Sequence, residues 1–336
     1  MEKPDVIQTE KAISYVKKTF ASKLRKKLKL TEVSSPIAIL DGTGINDDLN
    51  GTEQPVGFSL KDMGGPRAVI VQSLAKWKRL RLHELAIPQG QGILTHMHAL
   101  RPDELLSPLH SIYVDQWDWE KHIPGEKRTL EYLQQAVRKI YKALYKTEKK
   151  VAARFTSITP VLPQEITFIH AEDLARRYPG LSSQQLENLA AREYGAVFIM
   201  GIGHSLSHGE PHEGRAPDYD DWSTINADGY HGLNGDIIVW NTVLEQAFEI
   251  SSMGIRVDQA ALLRQLEITH STERKQLLFH RMLLNGELPA SIGGGIGQSR
   301  LCMFMLRKKH IGEVQVGIWP QTLRDEMHQN KEMVIL

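Results

Sequence analysis

LRPDELLSPLHSIYVDQWDWE, residues 100–120, is the stretch on which the fold turns. It reads as a strand, a short loop and a returning strand. Alternation along the second strand places Gln116, Asp118 and Glu120 on one sheet surface together with Arg101. Polar groups then stand where a core wants apolar ones, so the hairpin reads as the floor of a polar site. The alternative is an ordinary hairpin with one wet face.

Working outward, GGGIGQSR at 293–300 precedes an apolar helical stretch at 301–306. Glycines let a backbone approach a nucleotide closely, and an arginine at the start of that helix, Arg300, can lie across an adenine face or contact a phosphate. A merely flexible turn explains the glycines but not the arginine. At the other end of the chain Ile13, Val16, Phe20, Leu24 and Leu28 recur every three or four positions, which predicts an amphipathic helix from Glu10 with Thr9 as N-cap. The lysines on its polar side, Lys17, Lys18, Lys23, Lys26, Lys27 and Lys29, read as a solvated helix face.

Further helices are expected over 129–155, 182–194, 258–268, 271–285 and 297–308. Runs of strand length cover 68–71, 92–97, 110–117, 166–170, 196–202, 236–240, 247–255 and 314–319. Several follow one another without an intervening helix, an order that favours an α+β plan, a largely antiparallel sheet flanked by helices, over a doubly wound parallel sheet. Residues 203–235, rich in Gly, Asp, His and Pro, read as one long functional loop. No interdomain linker stands out, so one catalytic domain over 1–336 is expected.

Composition narrows the function. Forty-one Lys and Arg against forty Asp and Glu leave a formal charge of +1, which argues against a nucleic-acid partner and for a small polar substrate. The single cysteine, Cys302, suits a reducing compartment, and no apolar run is long enough for a signal or a membrane span, so a cytoplasmic location is expected. No GxxxxGK[ST] occurs, and Gly201-Ile202-Gly203 lacks the rest of a dinucleotide fingerprint. His204, His208 and His212 are spaced by four, but Gly209 and Pro211 break the helix that a zinc site would need.

Together, RPDE (101–104) and GGGIGQSR (293–300) resemble motifs 2 and 3 of class II aminoacyl-tRNA synthetases, and VSSPI (33–37) resembles their motif 1 strand with its proline. NDDLNG (46–51), SLAKWKR (73–79), RAPDYDDWS (215–223) and FEISSMGIR (248–256) are similar to stretches of the type A, ammonia-dependent asparagine synthetases in particular. The resemblance runs from about residue 10 to 325, leaving a tail over 326–336. Gln72 departs from it, standing where the family suggests a histidine. The resemblance implies a homodimer with motif 1 at its interface, a six-stranded antiparallel core, and conversion of aspartate, ATP and ammonia to asparagine, AMP and pyrophosphate through a β-aspartyl adenylate.

Bringing a carboxylate up to a triphosphate asks for arginines and magnesium. Arg101, matching the motif 2 arginine, is the candidate for the α-phosphate and the attacking carboxylate, with Gln116 and Asp47 beside it as catalytic groups. Asp236 and Glu249 offer hard oxygen ligands for Mg²⁺, and Asp220 and Arg300 join them at ATP or AMP. The resemblance implies an aspartate pocket from Ser73, Lys78, Gln116, Asp118, Arg215 and Ser252. Asp47 matches the family position for attracting ammonium and accepting its proton. An aspartyl- or asparaginyl-tRNA synthetase-like paralogue shares the adenylation motifs, but the pattern begins near residue 10, before an anticodon-binding domain could fit. A non-catalytic synthetase-like regulator would be marked by loss of Arg101, Glu249 or Arg300, and all three are present.

Overall fold

The computed structural model describes residues 5–47, 53–329 and 333–336, so positions 48–51 of NDDLNG lie outside the described residues. Helix α1 (Val6–Leu28) buries the five periodic apolar residues of the sequence reading. Its N-cap is Asp5 and not Thr9: the Asp5 carboxylate accepts the Ile7 and Gln8 N–H groups at 2.9 and 3.2 Å. Lys29, left-handed at φ 61°, ends it.

After α1 come β1 (Leu30–Glu32), β2 (Ala38–Leu40), β3 (Gly57–Ser59), β4 (Arg67–Ile70) and α2 (Ala75–Glu84). The hairpin β5 (Gly92–Leu100) and β6 (Tyr113–His122) leads into α3 (Leu130–Arg154). Next are β7 (Thr167–His170), α4 (Ala171–Arg177), α5 (Ser183–Tyr194), β8 (Ala196–Met200), β9 (Asn234–Asn241) and β10 (Gln246–Ile255). Then α6 (Gln259–Ile268), α7 (Leu278–Leu284), β11 (Ser291–Gly297) and α8 (Gln298–Met305) follow.

The main sheet corrects the expected six antiparallel strands: among the described residues it has eight, in the order β1-β5-β6-β11-β10-β9-β8-β7, and it is mixed. Neighbours from β5 to β8 are antiparallel, while β1 joins β5 and β7 joins β8 in parallel. Both edge strands are short and reach their partners through crossovers, β7 by way of α4 and α5, which local pattern cannot reveal. Three other expectations also change. The strand expected at 68–71 is β4, ending at Ile70, and it falls in a separate sheet, three-stranded among the described residues, in the order β2-β4-β3. The 271–285 helix is split into a 3-10 turn, Thr272–Gln276, and α7. Residues 314–319 form no strand: Val314 and Gln315 are both buried, burial alternates only from Gln315 on, with Val316 and Ile318 exposed and Trp319 buried, and among the described residues no ladder neighbour lies beside them. VSSPI lies just past β1, where the Val33 N–H still reaches Leu94 O at 2.9 Å.

The two faces of β6 set the plan. Trp117 and Trp119 face the α1 and α3 side within the main core, with the Phe20 and Trp117 rings 4.8 Å apart. Gln116, Asp118 and Glu120 face the other way, toward α2 and the loops. The long loop survives as 201–233, pinned by isolated bridges at Ser205–Pro211 and Ile225–His231.

Candidate active site

Strand pairing assembles the site floor. Asp236 on β9 pairs with Ser252 on β10, Ser252 with Gly295 on β11, Gly295 with Asp118 on β6, and Asp118 with Thr95 on β5. One row across the sheet therefore carries three of the expected site residues. Glu249 sits three positions before Ser252, a spacing that in a regular strand would put it on the opposite face. The register against β9 shifts between Glu249 and Ser251, and this bulge lets both residues line the same cavity.

The glycine run is neither a turn nor loose backbone. Gly293, Gly294 and Gly295 are strand residues of β11, and bare Cα atoms are needed because neighbours fill the space. A Cβ on Gly293 would lie 1.8 Å from Glu120 Oε2, and one on Gly295 would lie 2.3 Å from Gln116 Oε1. Gly293→Ala should therefore expel Glu120 from Arg256, breaking a fully buried pair at a cost of about 3–5 kcal/mol. Wild-type stability of that variant in urea would show that the strand gives way instead.

Above this floor a cavity of about 680 Å³ opens. Asp47, Ser73, Lys78, Arg101, Gln116 and Asp118 line it from the N-terminal half. Arg215, Asp220, Glu249, Ser252 and Arg300 line it from the C-terminal half. Asp236 alone of the sequence candidates is set back from the lining, beneath Arg215, whose Nη2 donates to both of its oxygens at 2.7 and 2.8 Å. Asp47 is 3% exposed and lies beside Tyr219, whose hydroxyl is raised well above its usual range by burial and by the Asp47 charge.

Charges in the cavity are paired, but with acceptors and donors to spare. Lys78 donates to Asp118 Oδ1 and, at 3.0 Å, to Gly294 O, while Asp118 Oδ2 is buried with no hydrogen-bond partner among the described residues. That open carboxylate oxygen is a ready acceptor for an ammonium group. Among the described residues Arg101 holds only the Gln72 carbonyl, at 3.3 and 3.4 Å, and the rest of its fork faces the cavity. Arg300 is fixed from two sides, donating to Glu249 Oε2 at 3.0 Å and to His110 Nε2 at 3.0 Å. Because a guanidinium only donates, His110 must carry its proton on Nδ1, where Ser107 Oγ lies 2.8 Å away.

Carboxylates crowd one wall. Desolvation pushes Asp236 up to about 7, with Glu249 and Glu213 adding to the rise and Arg215 opposing it. Glu249 is desolvated too, but Arg300, Arg215 and Arg101 outweigh that and hold it below the usual range. Glu213 is raised by burial and by Glu187 and Glu249. Three carboxyls, Asp236, Glu249 and Glu213, thus stand against three arginines, Arg101, Arg215 and Arg300. No cluster of three or more metal-ligating side chains occurs among the described residues. A hard divalent cation suits such a wall when it takes one or two carboxylates from the protein and the rest from phosphate and water.

The chain matches the profile of the aspartate-ammonia ligases over residues 7–331. It is 55% identical to an aspartate–ammonia ligase of Parabacteroides distasonis over 328 residues, 98% of this chain and 95% of that protein. The chain belongs to the aspartate-ammonia ligase family. In fold it is similar to asparaginyl-tRNA synthetase from Pyrococcus horikoshii complexed with asparaginyl-adenylate, with a TM-score of 0.68, 14% identity, and coverage of 93% of this chain and 70% of that one. Asparaginyl-tRNA synthetase of Entamoeba histolytica gives 0.64, 14%, 92% and 67%. At these identities the likeness shows a class II synthetase-like fold alone, and family membership rests on the ligase match.

Seen as a member of the aspartate-ammonia ligase family, the chain has site residues that the sequence reading did not single out. Arg256 closes FEISSMGIR and donates to Glu120 on one side and Asp220 on the other, all three being 2% exposed or less. Glu120 was itself a signal: a carboxylate alternating into a buried face needs a cation, and Arg256 is two strands away. Within this ligase cavity the network braces Asp220, whose carboxyl is raised by burial against the pull of Arg256 and Arg215. His110 and Glu213 carried no comparable signal, since both lie on loops.

Proposed function

We infer that this protein makes asparagine from aspartate, ATP and ammonia through a β-aspartyl adenylate, releasing AMP and pyrophosphate. The observation that carries the reading is one cavity holding a phosphate-type arginine pair, Arg101 and Arg300, beside an amino-acid-sized set of charges, Lys78, Asp118 and Arg215. The cavity-facing fork of Arg101 would take the α-phosphate and the attacking carboxylate. Asp118, through its open oxygen, would hold the substrate ammonium, with Lys78 and Arg215 on the α-carboxylate and Ser73, Gln116 and Ser252 around them. Arg300, braced by Glu249 and His110, would lie on the adenine, with Asp220 nearby. Glu249 on the cavity wall, and Asp236 once Arg215 leaves its carboxylate for the substrate, are the residues that would hold Mg²⁺, whose positive charge offsets phosphate repulsion when it is bound. Incubation with aspartate, ATP, Mg²⁺ and ammonium should yield asparagine and AMP in equal amounts. ADP in place of AMP, or no asparagine, would overturn the reading.

Ammonia should be the nitrogen donor. A glutaminase half-reaction needs a thiolate or an equally activated nucleophile. Cys302 is fully buried, and burial pushes its thiol up to about 12. Ammonia-free glutamine is expected to give no turnover, and Cys302→Ser should leave the ammonia-dependent rate unchanged. Comparable turnover with glutamine would contradict this.

A homodimer fits the exposed apolar side chains Ile37, Phe58 and Met63 around the small β2-β4-β3 sheet, next to the VSSPI segment. Light scattering should then give about twice the 38.0 kDa chain mass, and a monomer at working concentration would refute it. The described residues act in this reading as a single catalytic domain in the cytoplasm. Among them no helix is long and apolar enough to cross a membrane.

A further inference from the structure

The polar side of α1 reads from sequence as one solvated face, but α3 packs alongside it and brings a second row of lysines. On α3, Lys139, Lys142, Lys146 and Lys150 are spaced by three or four residues and all are exposed. That spacing forms one stripe of about 16 Å at 1.5 Å per residue. On α1, Lys23 and Lys27 face the stripe. Burial of its stem lowers the basicity of Lys23, and Lys150, Lys146 and Lys27 lower it further. Lys27 is lowered by burial and then by Lys142, Lys146, Lys26 and Lys139. The neighbours run in reverse order along α3, so the helices are antiparallel and the six ammonium groups line the groove between them.

None of the six makes a hydrogen bond or ion pair among the described residues, although the chain as a whole is balanced to +1. Uncompensated like charges held this close cost folding energy. The groove lies on the tryptophan side of the main sheet, with the sheet between it and the catalytic cavity. We propose that the α1–α3 groove is a docking surface for the phosphate backbone of a nucleic-acid strand.

Charge complementarity selects this occupant. A row of ammonium groups matches a row of phosphates, and lysines bind phosphate as point charges without reading bases. An acidic membrane would need large apolar side chains to insert, and α3 exposes none. A protein partner would need a desolvated aromatic or arginine anchor. The arginine and tyrosine that meet between these helices, Arg154 of α3 over the Tyr15 ring of α1 at 4.8 Å, are spent on each other.

The test uses the full chain and a fluorescein-labelled RNA of mixed sequence, about 20 nucleotides long, followed by anisotropy against salt. Saturable binding is expected near 50 mM salt, weakening at least about tenfold by 200 mM, with a log–log slope no steeper than about −4 for six contacts. Single-stranded DNA of the same length should bind within a few fold. The triple variant Lys27→Glu, Lys142→Glu, Lys146→Glu should weaken binding at least about tenfold and flatten the slope, while asparagine synthesis stays unchanged. Arginine at the same three positions should restore binding. Absence of saturable binding, equal binding by the charge-reversed variant, or tighter lysine-dependent binding to phosphatidylserine vesicles than to RNA would overturn the proposal.

Discussion

Arg101→Ala is expected to lower aspartate-dependent exchange of pyrophosphate into ATP about a hundredfold, the effect of losing one preorganised donor worth roughly 3 kcal/mol where phosphate charge reorganises. The size follows from how the residue is held. Its guanidinium spends two N–H groups on the Gln72 carbonyl at long distances and leaves the rest of the fork to the cavity. Truncation also takes its donors from the carbonyl of the buried Gln72, so the melting temperature should fall modestly while the fold persists. A folded Arg101→Ala protein with near-normal exchange would take the residue out of the activation step.

Local signals in the sequence reached the site better than they reached the sheet. The alternation of Gln116, Asp118 and Glu120 is a property of one strand, so the polar floor could be read directly. Ser252 and Glu249 were matched through resemblance, but their common orientation depends on a bulge that no periodicity announces. The parallel edge strands β1 and β7 were hidden for a similar reason. Each is three or four residues long, and its partner is set by crossover topology. Residues 314–319 show the converse failure: alternation describes extended chain, and only a neighbouring strand makes it sheet.

The sequence reads the glycines at 293–295 as letting the backbone approach a nucleotide closely, and the structure adds a packing requirement. Glu120 and Gln116 occupy the volume that side chains at Gly293 and Gly295 would take. The charge network of Glu120, Arg256 and Asp220 was within reach of reasoning from the sequence, because a carboxylate pointing into a buried face demands a partner. Its choice of Arg256 was not, since that pairing spans 136 residues.

Asp47→Asn should separate the two half-reactions that Arg101→Ala stops together. Asn46 Oδ1 accepts the Gln72 N–H at 2.9 Å, and the Gln72 carbonyl accepts Arg101, so one residue anchors both the Asp47 segment and the activating arginine. Asparagine at 47 keeps the size and hydrogen-bonding capacity of the side chain, so this anchor and the adenylation geometry should persist. What it removes is the charge that would attract ammonium and the base that would accept its proton, a contribution of about a hundredfold or more. Pyrophosphate exchange should survive within a few fold, while asparagine production falls steeply and responds weakly to added ammonium. A steep loss of exchange would move Asp47 into the activation step, acting through aspartate or through Tyr219 beside it. An unchanged synthesis rate would reduce it to a loop-forming residue, and the ammonium would then have to be met by another carboxylate of the cavity, with Asp118 and Glu213 the next to substitute.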